Sequence, residues 1–174
     1  RALKMLRRAL VVGIDNYSAL ENLAGCVNDA QTLAPLLARN EDDSPNFDVR
    51  TLAAPTVSGC VTRDDLLEAL DRLFAPGVHM SLFYFAGHGE QAGDAADVVL
   101  ATTDGTRHTP GVRFSEVLDR INACEQEVAV ILDCCFSGAA GGVPAAMIPG
   151  AVLRQGVSML TASRADQTSA ETPD

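Results

Sequence analysis

The chain has 174 residues, 47% of them hydrophobic, which is enough for one domain with a sizeable core and too apolar for a disordered segment. A formal charge of −10 argues against a nucleic-acid surface, and no apolar run reaches the ~20 residues that a membrane helix needs. Five cysteines (Cys26, Cys60, Cys124, Cys134 and Cys135), odd in number with two adjacent, match no secreted disulfide framework, so a reducing, cytoplasmic setting is expected.

Basic residues Arg1, Lys4, Arg7 and Arg8 precede an apolar stretch, but Ala9 to Ile14 is too short for a signal-peptide core and ends at Asp15. Leu10 to Ile14 reads as a first buried strand. Asn28 to Ala38 is expected to be helical, with Asn28 as cap, Gln31 as its returning partner, and Leu33, Leu36 and Leu37 as the apolar stripe. Asn40 to Phe47 is a loop, and Val49 to Ala53 a short strand. Thr62 opens a second helix with Asp65 in the capping-box position; Leu66, Leu67, Leu70, Leu73 and Phe74 face inward, and Pro76-Gly77 stops it.

Met80 to Ala86 is a third strand, ending just before His88. Gln91 to Asp97 is a loop, Val98 to Ala101 a minor hairpin strand turned by Asp104-Gly105, and Phe114 to Ile121 a helix burying Val117, Leu118 and Ile121. Val128 to Leu132 is a fourth main strand, ending at Asp133. A flexible Gly/Ala/Pro-rich connection, Ala139 to Pro149, leads to a fifth, Val157 to Ala162. Strands alternating with helices predict a mostly parallel central sheet with helices on both faces, an α/β three-layer sandwich. The last strand would leave an apolar edge exposed, so a missing C-terminal segment or a partner chain is expected to pair with it.

Two strand ends carry the chemistry. Phe83-Tyr84-Phe85-Ala86-Gly87-His88-Gly89-Glu90 delivers a histidine between two glycines, and Ile131-Leu132-Asp133-Cys134-Cys135-Phe136-Ser137-Gly138 delivers a thiol. In an open α/β sheet such ends are where sites form. A thiolate nucleophile needs a neighbouring base, so Cys135 is read as nucleophile and His88 as general base. Adjacent residues of a strand face opposite ways, so only one of Cys134 and Cys135 can meet His88. The amides of Gly89 and Cys135 are candidates for the oxyanion hole. Asp133, two residues before Cys135, and Asp29, near a helix N-terminus, would together make an acidic cup for arginine or lysine. His79 and His108 lack such flanks and are assigned ordinary roles.

These blocks resemble the caspase-type domain of metacaspases, orthocaspases and prokaryotic caspase homologues. The resemblance covers nearly the whole chain. It includes Ala9-Leu10-Val11-Val12-Gly13-Ile14-Asp15-Asn16-Tyr17, Leu23-Ala24-Gly25-Cys26-Val27-Asn28-Asp29-Ala30, the histidine and cysteine blocks, and Leu160 to Ala170. Each block is weakly specific alone; five in order are strongly so. The resemblance implies a caspase-like three-layer fold and a Cys/His dyad endopeptidase, a zymogen-type thiol protease. It selects Cys135 over Cys134, because the family's nucleophile follows an Asp-x pair. It implies cleavage after Arg or Lys, with Asp29 and Asp133 binding that side chain. Phe136 departs from the phenolic or imidazole residue that many metacaspases carry there.

No organic cofactor is implied, and calcium stays open as an activator: Asp94, Asp97 and Asp104 are thin candidates for an ion that takes six to eight oxygens. Arg154 is the one basic residue between Ala139 and Gln155 and hence the candidate autocleavage site. Residues 1–174 read as one caspase-like domain: 1–138 large-subunit-like, 139–155 linker, and 156–174 the start of an incomplete small-subunit-like part. The chain starts at Arg1 rather than methionine and is expected to be a piece of a longer protein. Its partners are a substrate with a basic P1 residue and the remaining small-subunit segment or partner chain; neither nucleic acid nor membrane is expected. The alternative is a catalytically silent scaffold or regulatory homologue, against which the intact dyad weighs. A zinc or redox site from His88, Cys134 and Cys135 fits poorly, since zinc favours ligand pairs spaced two to four apart and thioredoxin chemistry needs Cys-x-x-Cys.

Overall fold

The computed structural model describes residues 6–54, 59–91, 97–137 and 153–162, with Gln91, Cys135, Phe136, Ser137 and Ala162 described by backbone alone. In chain order the elements are β1 (Arg7–Ile14), α1 (Cys26–Ala38), β2 (Asp48–Ala54), α2 (Arg63–Leu73), β3 (Met80–Gln91), β4 (Val98–Ala101), β5 (Gly111–Arg113), α3 (Phe114–Ala123), β6 (Glu127–Ser137) and β7 (Val157–Ala162). Five strands pair in parallel in the order β2-β1-β3-β6-β7. The short β4-β5 hairpin joins antiparallel to the last residues of β3, beyond the point where β1 stops pairing. The sheet is mostly parallel with helices on both faces, as the alternation of elements predicted.

Alternating side chains divide the core. Leu10, Val12, Phe83, Phe85, Val130 and Leu132 pack with α2 and α3 on one face. Ala9, Val11, Leu82, Tyr84 and Ala86 pack with α1 on the other. Phe83, Phe85 and Phe114 are almost wholly buried, and each such side chain contributes roughly 1.5–3 kcal/mol. β7 lies at the outer edge among the described residues, and its Leu160 is 66% exposed.

Three expectations need correction. β3 and β6 do not end before His88 and Cys135; their ladder continues to Glu90↔Ser137. A three-residue strand, β5, was not foreseen, because its pattern is too short to carry a periodicity. α1 starts at Cys26, not at Asn28, and its N-cap position is Gly25, with no side-chain cap of its own. The orphan amides are met from another element: the Asp15 carboxylate accepts from the amides of Cys26 (2.9 Å) and Val27 (3.4 Å). α1 therefore rotates away from the expected stripe. Val27 and Ala30 are buried with Leu33 and Leu37 beside them, and Leu36 is 70% exposed. The α2 capping box of Thr62 and Asp65 is present as predicted.

Candidate active site

The β3–β6 ladder sets His88 directly beside Cys135. Cys134 is 2% exposed and belongs to the core under α2 and α3, with Val130 and Leu132. His88 follows Leu82, Tyr84 and Ala86 at strand spacing, on the α1 side of the sheet.

The imidazole is held from two directions, and the His88 backbone from a third. Its Nε2 lies 2.7 Å from the Glu21 carbonyl oxygen, which can only accept, so Nε2 carries the proton. In the neutral ring Nδ1 then keeps its lone pair and is the basic nitrogen. The Tyr17 ring stands 4.8 Å away at 57°. The Tyr17 hydroxyl accepts from the His88 amide at 2.8 Å and donates to the Ile14 carbonyl at 3.0 Å. Burial holds that phenol well above its ordinary pKa, so it stays protonated. A side chain at Gly87 would collide with the Tyr17 oxygen, its Cβ coming to 2.5 Å. Sequence reasoning quoted Tyr17 without a role; an aromatic after a strand resembles any core residue until the fold brings it to the histidine.

The loop that supplies Glu21 is pinned at both ends. The Leu23 amide bonds the Asp15 carbonyl at 2.7 Å, the Tyr17 amide bonds Asn22 Oδ1 at 3.0 Å, and the Ser18 amide bonds the Thr103 carbonyl at 3.0 Å. Such anchoring fixes the position of a catalytic ring better than the strand end alone.

The carboxylates gather where α1 approaches the sheet. Gly13 permits that approach, since a Cβ there would lie 2.3 Å from the Cys26 carbonyl oxygen. The half-buried thiol of Cys26 is pushed up to about 12, first by burial, then by the charge of Asp15 and its hydrogen bond, and further by Asp133 and Asp29. Tyr84 is raised too, by burial and then by Asp133 and Asp29, and its hydroxyl reaches Asp133 Oδ2 at 3.5 Å. Asp29 and Asp133, far apart in sequence, thus act on the same two groups. Asp15 joins them, a third carboxylate not singled out from sequence. The negative charge of these carboxylates disfavours ionisation of the Cys26 thiol and, for Asp29 and Asp133, of the Tyr84 phenol.

The other predicted residues lie elsewhere. Gly89 is buried in the sheet, registered with Leu100 on one side and Phe136 on the other. Asp97 accepts from the Ser115 hydroxyl (2.6 Å) and amide, serving the start of α3. Asp104 accepts from the Arg63 amide and the Thr102 hydroxyl. These two carboxylates form no common oxygen cup, and among the described residues no group of three or more His, Cys, Asp or Glu could hold a metal ion. Asp94 and residues 138–152 and 163–174, with most of the expected linker and small-subunit-like part, lie outside the described residues. His79 Nδ1 accepts from the Leu6 amide, an ordinary role.

Arg154 is at the far end of the sheet. Its guanidinium donates to the carbonyls of Ile121 (3.0 Å), Gln126 and Gln155, and to Cys124 Sγ. It fastens the start of β7 to the α3–β6 turn. From Glu127 to Cys135 the strand covers about 26 Å.

No helix among the described residues is long and apolar enough to cross a membrane. Compared with known proteins, the chain matches the caspase domain model of the C14 peptidases over residues 6–174. It is 28% identical over 166 residues to Metacaspase-3 of Trypanosoma cruzi (strain CL Brener), a match covering 87% of this chain and 46% of that protein. A crystal structure of a Geobacter sulfurreducens protein superposes with a TM-score of 0.61 at 20% identity, covering 77% of this chain and 52% of that one. The chain thus spans about half the length of these relatives.

Proposed function

Because the chain belongs to the caspase-domain family of peptidases, we propose that it is a cysteine endopeptidase working through His88 and Cys135 and cutting after arginine or lysine. The single observation that carries this reading is the β3–β6 register, which sets His88 against Cys135 while Cys134 is committed to the core. His88 Nδ1 would take the thiol proton, leaving a thiolate to attack the scissile carbonyl. The protonated ring, its Nε2 held by the Glu21 carbonyl, would then give the proton to the leaving amine. Water would hydrolyse the resulting thioester and restore the thiol.

The Cys135 amide is a candidate donor to the oxyanion. Gly89 serves beside it only if its N–H is free of the ladder on either side. The carboxylates of Asp29 and Asp133 support a basic P1 residue, because a guanidinium or ammonium gains charge-assisted bonds beside carboxylates, and both of these act on Cys26 and Tyr84. No step needs a metal. Calcium as an activator is a separate proposal that Asp97 and Asp104 do not support, since each carboxylate holds its own bonds.

Self-processing after Arg154 belongs to the same proposal under a condition of geometry. The guanidinium must leave its acceptors and travel on the order of 26 Å to reach the acidic pocket, so a second copy is better placed to make the cut.

The test is cleavage of peptides with Arg, Lys or Asp at P1, by the wild type, Cys135→Ala and Asp133→Asn, with and without calcium. Cleavage after Arg or Lys is expected, lost in Cys135→Ala and lowered roughly 10- to 100-fold in kcat/KM by Asp133→Asn. Cleavage after Asp would sink the pocket assignment and keep the enzyme. Full activity in Cys135→Ala would sink the dyad.

A further inference from the structure

Arg50 Nη1, on β2, is buried and has no hydrogen-bond partner among the described residues. An orphaned guanidinium nitrogen is costly in a folded protein, and such groups normally meet a carboxylate, a phosphate or a carbonyl. Arg50 lines a cavity of about 340 Å³ with Arg8, Arg72 and Asp48, over a floor that includes Leu10 and Leu73. That volume suits a small organic ligand. Three arginines line this cavity, on a chain whose formal charge is −10.

The nearby groups leave the positive charge in excess. Arg8 Nη1 donates to the Arg72 carbonyl at 2.8 Å, which covers a carbonyl at the negative end of α2. Asp65 senses Arg50, but its Oδ2 already accepts from the Thr62 amide and hydroxyl. Among the described residues that line the cavity, Asp48 is the one carboxylate. The cavity opens on the α2 side, near the start of β1, whereas His88 lies past the end of β1 on the α1 side.

We propose that this cavity binds a small organic oxyanion, a carboxylate or a phosphate monoester, gripped by Arg50 with Arg8 and Arg72. The planar fork of arginine pairs with either oxyanion through two parallel bonds, and the apolar floor accepts the stem that carries it. The site is separate from the proposed peptidase centre and does not depend on it.

The test is an NMR titration of the arginine Nε–H signals of the 174-residue chain at constant ionic strength. Inorganic phosphate, phenyl phosphate, acetate and succinate serve as probes, their order of affinity separating phosphoryl from carboxylate ligands. Saturable shifts are expected at Arg50. Arg50→Met is expected to weaken binding at least 10-fold, and Arg50→Lys, which keeps the charge without the fork, severalfold. Arg107→Met, at an exposed position, leaves binding unchanged. Removing an orphaned donor should leave the melting temperature of Arg50→Met unchanged or raised. If that variant fails to fold, Arg72→Gln takes its place with the same expected loss. Shifts that grow without saturation, or a folded Arg50→Met or Arg72→Gln that titrates like wild type, would overturn the proposal.

Discussion

Tyr17 shows how one side chain can hold another in place. Its hydroxyl takes the His88 amide and its ring backs the imidazole, so it is a positioning residue for the proposed reaction. Tyr17→Phe keeps the ring and leaves the His88 N–H and Ile14 carbonyl short of a partner, which should cost about 1–3 kcal/mol. The peptidase readout is specific: kcat falls roughly 10- to 100-fold at nearly constant KM, with a displaced pH profile. A purely structural role would lower the melting temperature and leave the pH profile in place.

Cys26 gives a pH prediction at the same scale. Its folded pKa is raised, so between the ordinary thiol value and about 12 the unfolded chain loses a proton that the folded chain keeps. Stability from this group is present below pH 9 and is lost as pH rises toward 12. Urea denaturation from pH 8 to pH 11 should show a shallower decline in Cys26→Ser than in the wild type. Iodoacetamide at pH 8 should label exposed Cys60 well before Cys26.

At the scale of elements, the dependence of α1 on Asp15 stands out. The helix lacks a local side-chain cap and borrows one from the residue that follows β1. Asp15→Ala should therefore cost about 0.5–2 kcal/mol, read from chemical denaturation, and should loosen the helix that carries Asp29. Thr62→Ala on α2, with its complete capping box, should cost a similar amount without affecting P1 preference. That pairing separates a loss of stability from a loss of pocket geometry. Sequence reasoning placed α2 well because both partners of its capping box lie within four residues. It misplaced the start of α1 because the capping carboxylate lies eleven residues upstream.

For the whole molecule, the parallel sheet puts the proposed chemistry and Arg154 at opposite ends. Limited trypsin digestion should leave the Arg154–Gln155 bond intact in the folded chain, because the guanidinium is occupied by carbonyls and by Cys124. Any self-cleavage there should show a rate that rises with protein concentration, the signature of one copy cutting another. Arg154→Ala should abolish that product and destabilise the chain by about 1–3 kcal/mol.

The alternation of apolar runs, the Gly-His-Gly block and the Asp-Cys-Cys block were legible by themselves, since strand burial and local turn chemistry are written in neighbouring residues. So were the fold class and the candidacy of His88 and Cys135. Only the tertiary structure decided that the two strands pair in register through those residues, that Cys134 goes to the core, and that Tyr17 and the Glu21 carbonyl hold the imidazole. It also decided that Asp15 joins Asp29 and Asp133, that Leu36 faces solvent, and that Arg154 is fastened at the other end of the sheet. The reason is physical: local pattern records which face is buried, whereas register, long-range capping and the meeting of charges depend on strands and helices separated by tens of residues.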